Sequence, residues 1–193
     1  ILAAVVERQR SGLGQYIDIS MTDCVASLNS MAASASLAGQ TPQAPEAGML
    51  NGASFYDYYE TQDGRYFSVG SLEPQFMAGL AAALELPLLL AKGTSFDAED
   101  RQAVKQALQE KFKTQDFVVW QQLFKTLDIC VEPVLSLDEA LVSPIAEQRG
   151  WVVDVPLSEN SEQTEAQLAC PIKFSRSQIK YAFIGQGLGE GKW

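Results

Sequence analysis

The sequence predicts a mixed α/β or α+β fold, in which helices and short antiparallel strands follow a start of parallel α/β appearance. Aromatic and β-branched residues flank Asp63-Gly64, a pattern typical of a β-hairpin. Apolar residues then recur at helical spacing after Pro74, after Asp97 and again from about Asp116. Strand and helix periodicity therefore alternate along the chain.

The composition indicates a globular protein that does not bind nucleic acid. The chain has 193 residues, enough for one domain or one domain and part of another. Hydrophobic residues make up 47% and charged residues 20%, which is ordinary for a globular domain. Because a phosphate backbone requires a basic surface, the net charge of −10 argues against a nucleic-acid partner.

The cysteines are few and the chain contains no histidine. Cys24, Cys130 and Cys170 are widely spaced and form no CxxC pair, so the sequence predicts no metal site. A serine or cysteine nucleophile would lack an imidazole base within this chain. We expect all three thiols to be reduced and buried, as in a cytoplasmic protein.

The first forty residues predict two helices around a short strand. Residues 1–10 read as the end of an apolar helix with Gly12 as its cap, as expected for a chain that begins inside a helix of a longer protein. Residues 15–19 alternate like a strand. Residues 21–38 are rich in Ala and Ser and predict one buried helix, while Asp23 and several serines argue against a membrane span.

The middle of the chain predicts a hairpin over 56–69 and then three helices. The first begins at Pro74 and is ended by Pro87, the second begins at Asp97, and the third begins near Thr114 or Asp116. Their aromatic residues are expected to form a core rather than a cofactor site.

The last part of the chain predicts shorter elements. Residues 129–135 predict a short strand that Pro133 interrupts, so it should be an edge strand or the end of a strand. A serine with a glutamate three residues on, from Ser136, predicts a capped helix. A further short helix begins at Ser143 and stops at Gly150. Residues 151–155 predict a strand, and the polar run 158–167 predicts a loop.

Glu73 is the candidate functional residue, because it lies where a predicted strand leads into a helix. Pro74 favours a helix start, which would place the Glu73 carboxylate beside the positive end of the helix dipole. Such an interaction contributes about 0.3–1 kcal/mol to stability. The neighbouring residues alone leave two roles open, a helix-start residue and a catalytic carboxylate.

A series of motifs, in order along nearly the whole chain, resembles the α-methylacyl-CoA racemases of the family III CoA-transferase (CaiB/BaiF) superfamily. The motifs lie at residues 14–21, 50–52, 55–64, 70–76, 128–135 and 171–175. The resemblance implies an interlocked homodimer with a Rossmann-like large domain and a small α+β domain. Residues 1–55 would end the first segment of the large domain, residues 56–150 would form the small domain, and residues 151–193 would return to the large one.

The resemblance also implies a mechanism in which Glu73 pairs with a histidine while an aspartate lies on the opposite side of the substrate. The histidine and the aspartate would both lie upstream of Ile1. The substrate is an acyl-CoA thioester, so coenzyme A enters as part of the substrate and no separate cofactor is needed. The same resemblance places five residues near the acyl chain: Met21, Leu50, Gly52, Tyr56 and Leu72. No membrane partner is implied.

Two alternatives remain beside proton exchange by a racemase. A CoA-transferase of the same superfamily would use an upstream aspartate as nucleophile, and many such enzymes carry a glycine-rich loop in the small domain. Residues 71–74 contain no glycine run after Gly70, which favours the racemase branch. The third possibility is a non-catalytic domain used for dimerisation or interaction.

Overall fold

The computed structural model describes residues 1–41, 48, 50 and 52–185, so Asn51 of the second motif and residues 186–193 lie outside it. The helices are α1 (Leu2–Ser11), α2 (Met21–Leu28), α3 (Ser30–Leu37), α4 (Pro74–Ala83), α5 (Pro87–Lys92), α6 (Ala98–Phe112), α7 (Phe117–Phe124), α8 (Leu137–Leu141) and α9 (Pro144–Arg149). The strands are β1 (Asp57–Glu60), β2 (Tyr66–Val69), β3 (Val131–Pro133), β4 (Val152–Pro156) and β5 (Thr164–Leu168). The mixed helix and strand content confirms the predicted fold class.

The predicted hairpin is present and forms part of a three-stranded antiparallel sheet in the order β1-β2-β3. Asp57 pairs with Val69, and Val69 pairs with Val131 on the third strand. As Pro133 predicts, β3 lies at an edge of this sheet. A separate two-stranded sheet joins β4 to β5.

Helices α4 to α7 pack against one face of the three-stranded sheet. Because side chains alternate along a strand, Tyr59 and Phe67 point to the same face, and both are fully buried there. The helices contribute most of the other core residues. The aromatic members of the core are Phe55, Tyr59, Phe67, Phe112, Phe117, Trp120 and Phe124. The Phe112 ring stacks on Tyr59 at 5.3 Å between centroids, so α6 is held directly against β1.

The hairpin turn also orients α7. The Thr61 hydroxyl donates to the Asp63 carboxylate, and the same Asp63 oxygen accepts the backbone N–H of Phe117 at 3.0 Å. Asp116, the N-cap residue of α7, makes no side-chain capping bond. The start of α7 is therefore capped by a carboxylate more than fifty residues earlier in the sequence, which local patterns do not show.

We expect the Asp63 contribution to stability to depend on pH. The Thr61 hydroxyl, more than the Phe117 N–H, holds the pKa of Asp63 below its ordinary value. A lowered folded-state pKa adds stability above the unfolded value of about 3.9, and this stability is lost as the pH falls through the folded value. Asp63→Asn should lower the urea midpoint at about pH 6, and its difference from wild type should shrink towards about pH 3.

The matched control for this prediction is Asp116→Asn, because Asp116 also precedes α7 but makes no capping bond with its side chain. Its urea midpoint should follow that of the wild type at each pH. Equal effects of the two substitutions would mean that the Asp63 hydrogen bonds do not anchor α7.

Several predictions for the first forty residues are wrong. Residues 15–19 belong to no strand of the described chain, and the predicted single helix breaks at Asn29 into α2 and α3. No residue of α1, α2 or α3 is buried, although burial was predicted for residues 21–38. A helix rich in small residues is buried only when another surface approaches it, and no element of the described chain covers these helices.

The thiols and two further elements also differ from prediction. Cys24 and Cys130 are exposed and Cys170 is only partly buried, so the expectation of buried thiols is wrong. For Cys130 the reason is the alternation of side chains along a strand, because its neighbour Val131 points into the core while Cys130 points to the opposite face. Pro87 begins the unpredicted helix α5, and the predicted polar loop 158–167 contains the start of β5. Because β5 is largely exposed, its sequence lacks the alternation of apolar and polar residues from which a strand is predicted.

The local helix signals in the second half of the chain are confirmed. Asp97 caps α6 by accepting two backbone N–H groups, and Ser136 and Glu139 form the predicted capping box of α8. Gly150 ends α9 in the left-handed conformation. In the ranges that the structure describes, no helix has both the length and the apolar character needed to cross a membrane.

Candidate active site

Glu73 is the N-cap residue of α4, in the connection from β2. Its backbone is extended, its carbonyl accepts the N–H of Met77 at 2.9 Å, and Pro74 occupies the first helical position, as predicted. The Glu73 side chain is exposed and makes no capping bond with the helix. Its carboxylate is therefore not used to complete α4 and can interact with another group.

The position of α4 depends on a close contact between Gly79 of this helix and Ile129, which precedes β3. An ideal Cβ atom at Gly79 would lie 2.7 Å from Cγ2 of Ile129, so only glycine allows this distance. Leu80, on the next position of the helix, and Leu84 beyond its end are fully buried. The helix that carries Glu73 is thus held firmly against the sheet.

Tyr56, Gly70 and Cys130 form a row across the three strands, which we call the end row. It continues the strand register by one residue beyond the pairs Asp57–Val69 and Val69–Val131. The N–H of Gly70 donates to the carbonyl of Cys130 at 2.8 Å. Since Val69 and Val131 point into the core, the end row points to the opposite face.

Glu73 lies close enough to the end row to affect Cys130. Desolvation raises the pKa of the Cys130 thiol, and the negative charges of Glu73, Asp128 and Glu132 raise it further, in that order. The thiol is therefore neutral near pH 7, and the charged groups near it are negative.

Ser71, between the end row and Glu73, is fully buried, and its hydroxyl has no hydrogen-bond partner among the described residues. A buried polar group without a partner costs about 1–3 kcal/mol of stability. Ser71→Ala should therefore raise the free energy of unfolding by about 1 kcal/mol in urea titrations. The control is Ser68→Ala on β2, three residues earlier, where the side chain is only partly buried. A destabilised Ser71→Ala protein would indicate that the hydroxyl bonds to an internal water molecule.

The structure brings together three of the six residues predicted for the site. Glu73, half-buried Leu72 and Tyr56 lie at the same end of the sheet, and the side chain of Leu72 packs against the core. Tyr56 is 40% exposed, and its backbone N–H donates to the Ser54 hydroxyl at 3.0 Å. Part of the Tyr56 side chain is thus accessible at this end of the sheet.

The other three predicted residues are not part of this arrangement. Met21 begins α2 and is 86% exposed, and Leu50 is 65% exposed. Gly52 has a left-handed φ of 90° and forms an isolated bridge with Gly48. None of the three belongs to the core or to the end row, and their assignment to the site stays a prediction.

The end row contains two residues, Gly70 and Cys130, that were not predicted for the site. Both lie within the motifs that carry the family resemblance, and Cys130 was predicted only to be a buried thiol. The hairpin register contained the missing signal, because pairing Asp57 with Val69 necessarily sets Tyr56 opposite Gly70. The third strand could not be aligned in this way, since its pairing partner is not adjacent in sequence.

The arrangement can orient a base or exchange a proton through its carboxylates, but it contains no imidazole. The chain contains no histidine, and the described residues include no cluster of three or more cysteine, aspartate and glutamate side chains that could hold a metal ion. An exposed carboxylate beside a neutral thiol and an aromatic ring suits the support of acid–base chemistry on a substrate with an apolar part.

Comparisons with known proteins agree on one family. The sequence model of CoA-transferase family III matches residues 1–185. The chain is 37% identical to mouse α-methylacyl-CoA racemase over 147 residues, which cover 73% of this chain and 37% of the racemase. It is 24% identical to human succinyl-CoA:glutarate CoA-transferase over 160 residues, covering 80% of this chain and 36% of that enzyme.

The fold is also shared with a solved structure. A CaiB/BaiF family protein from Brucella suis matches 98% of this chain and 49% of its own chain, with a TM-score of 0.72 and 22% identity. This chain therefore spans a little over a third of the two curated enzymes and about half of the solved structure.

Proposed function

The chain belongs to CoA-transferase family III, and from that premise we propose that it is the C-terminal portion of an acyl-CoA racemase. The complete enzyme would exchange the α-proton of a 2-methylacyl-CoA thioester through an enolate. The observation that carries this proposal is the Glu73 carboxylate, which is exposed at the start of α4 and makes no capping bond. The higher identity to the mouse racemase than to the human transferase supports the same choice.

The proposed reaction needs two groups that transfer protons and a third residue that orients one of these groups. A base removes the α-proton, and the electron pair of the C–H bond moves into the carbonyl group to form an enolate. A second group then returns a proton to the opposite face of the α-carbon. Glu73 would hold the histidine base in one tautomer and stabilise its protonated form, as a carboxylate beside an imidazole does in other enzymes.

The upstream part of the protein would supply the histidine and the opposite aspartate. General acid–base groups of this kind each contribute about 10²–10⁴ in rate. Tyr56 and Leu72 would contact the acyl chain, with Met21, Leu50 and Gly52 completing its surroundings. Coenzyme A is part of the substrate in this scheme, so no further cofactor is required.

The decisive experiment is α-proton exchange by the full-length protein encoded by the same gene. A 2-methylacyl-CoA incubated in deuterated water should gain one deuterium at the α-carbon and lose its stereochemical purity. Absence of both changes, with intact protein and substrate, would overturn the racemase proposal. The 193-residue chain alone should show no exchange, because it contains no histidine.

CoA transfer between carboxylic acids is the second candidate, and the similarity to the human transferase favours testing it. A transferase passes through a covalent acyl-enzyme, which hydroxylamine or borohydride traps. Trapped enzyme together with no α-proton exchange would support transfer over racemisation. An upstream sequence without the histidine and the aspartate would instead support the non-catalytic alternative.

The homodimer and the cytoplasmic location are parts of the same proposal. The exposed apolar side chains of α2, such as Val25 and Leu28, are consistent with helices that are covered in a larger assembly. Sedimentation of the full-length protein should give the mass of a dimer.

A further inference from the structure

We propose that Gly70 is a specificity-determining residue, which sets the position of the Tyr56 ring and thereby the size of the acyl group that the Glu73 site accepts. The inference rests on the proposed function, because it assigns a specificity role within that same site. It is carried by the geometry of the end row, where Gly70 stands between Tyr56 and Cys130.

The space in front of Gly70 is already occupied by its two neighbours. An ideal Cβ atom at residue 70 would lie 3.1 Å from Cε2 of Tyr56 and 3.8 Å from Cβ of Cys130. Carbon atoms in ordinary contact are about 3.5–4.0 Å apart. The Tyr56 ring therefore lies across the middle strand because no side chain is present there.

The backbone of the end row is tied in place, so a methyl group at residue 70 must move the ring. Gly70 donates to the Cys130 carbonyl at 2.8 Å, and Tyr56 donates to the Ser54 hydroxyl at 3.0 Å. Tyr56 is 40% exposed, so its side chain is partly in contact with solvent and is not enclosed by the core. Gly70→Ala should thus displace the ring outwards by a few tenths of an ångström while the sheet remains folded.

The position of the ring matters because Glu73 follows Gly70 by three residues and is exposed at the same end of the sheet. In the proposed function the acyl group lies there, with its α-carbon near the histidine that Glu73 supports. A ring moved outwards narrows the space for the substituents of the α-carbon. Larger acyl groups should then lose more activity than small ones, while the acid–base groups are unchanged.

The experiment measures α-proton exchange by the full-length enzyme on two acyl-CoA thioesters, one with a small and one with a bulky α-substituent. In Gly70→Ala, the ratio of kcat/KM for the small over the bulky substrate should rise by about tenfold, as expected for a change near one methylene in an apolar pocket. Tyr56→Ala alone should change the ratio in the opposite direction.

A double-mutant cycle shows whether Gly70 acts through Tyr56. In the Tyr56→Ala background, adding Gly70→Ala should change the ratio by less than about twofold, since the ring that it displaces is gone. A ratio that is unchanged in Gly70→Ala, or that changes equally in both backgrounds, would overturn the proposal. An unchanged ratio in Tyr56→Ala would also overturn the proposal, so the test stays falsifiable if Gly70→Ala does not fold.

A second readout separates this proposal from the proposed function. Because the Tyr56 ring and the Cys130 side chain both flank Gly70, displacement of the ring should raise the rate of Cys130 alkylation by iodoacetamide severalfold, with Cys170 of the same protein as the internal reference. An unchanged Cys130 rate contradicts the ring displacement whether or not the enzyme is a racemase. Faster alkylation without any α-proton exchange in the wild type would retain the ring displacement but reject the specificity role.

Discussion

Glu73→Gln in the full-length enzyme should lower the rate of α-proton exchange by about 10²–10⁴-fold, the contribution typical of a group in acid–base catalysis. Glutamine keeps the size of the side chain but removes the negative charge that would stabilise an imidazolium. The loss should appear in kcat more than in KM, because the charge is needed when the proton moves. Exchange is measured by the incorporation of deuterium from the solvent.

The pH profile distinguishes support of an imidazole from a structural role. Without the neighbouring negative charge, the pKa of the histidine falls, so the acidic limb of the exchange profile should move to lower pH. Stability should change by no more than about 1 kcal/mol, the range of a helix-dipole interaction. An unchanged exchange rate in Glu73→Gln would leave Glu73 as a helix-start residue.

Glu85→Gln is the matched control, since Glu85 lies just beyond the opposite end of α4 and its side chain is 88% exposed. This substitution removes the same charge from the same helix region at a distance from the end row. Its exchange rate should equal that of the wild type. A similar loss in both variants would point to a general effect of charge.

Phe112→Ala should have the largest effect on stability, lowering the free energy of unfolding by about 3–5 kcal/mol. Phe112 is fully buried at the end of α6, and its ring contacts four other aromatic rings at centroid distances of 5.3–6.0 Å. Truncation leaves a cavity that tightly packed rings cannot fill. Urea unfolding followed by tryptophan fluorescence measures the change, with Trp120 as a direct neighbour of the cavity.

Phe96→Ala provides the control for Phe112→Ala, because Phe96 is 84% exposed. The same chemical change should then alter the free energy of unfolding by less than about 0.5 kcal/mol. Comparable losses in the two variants would mean that the aromatic cluster is not the main source of stability in the α4–α7 region.

Local signals in the sequence were sufficient for most of the elements between Asp57 and Gly150. Pro74, Asp97 and the Ser136–Glu139 pair each mark a helix start through contacts within a few residues, and all three starts are confirmed. The hairpin is equally local, because its turn and register depend on neighbouring residues. Such contacts form in the same way whatever surrounds them.

Burial was predicted less well, because it depends on surfaces that sequence patterns do not identify. The small residues of α2 and α3 indicate that these helices can pack closely, but they do not specify a partner, and the helices are exposed. Cys130 has apolar neighbours in sequence, yet it belongs to the outward-facing end row and is exposed. Hydrophobic character is a property of a residue, whereas burial is a property of two surfaces in contact.

The sequence by itself determined the motif that contains Glu73, the helix start that follows it and the family that the chain resembles. Only the tertiary structure decided that the Glu73 carboxylate is free of its helix and coupled to Cys130. It also decided that Tyr56 occupies the space in front of Gly70. The physical reason is that Cys130 reaches Gly70 through the pairing of β3 with β2, a contact between residues sixty positions apart, which no local propensity encodes.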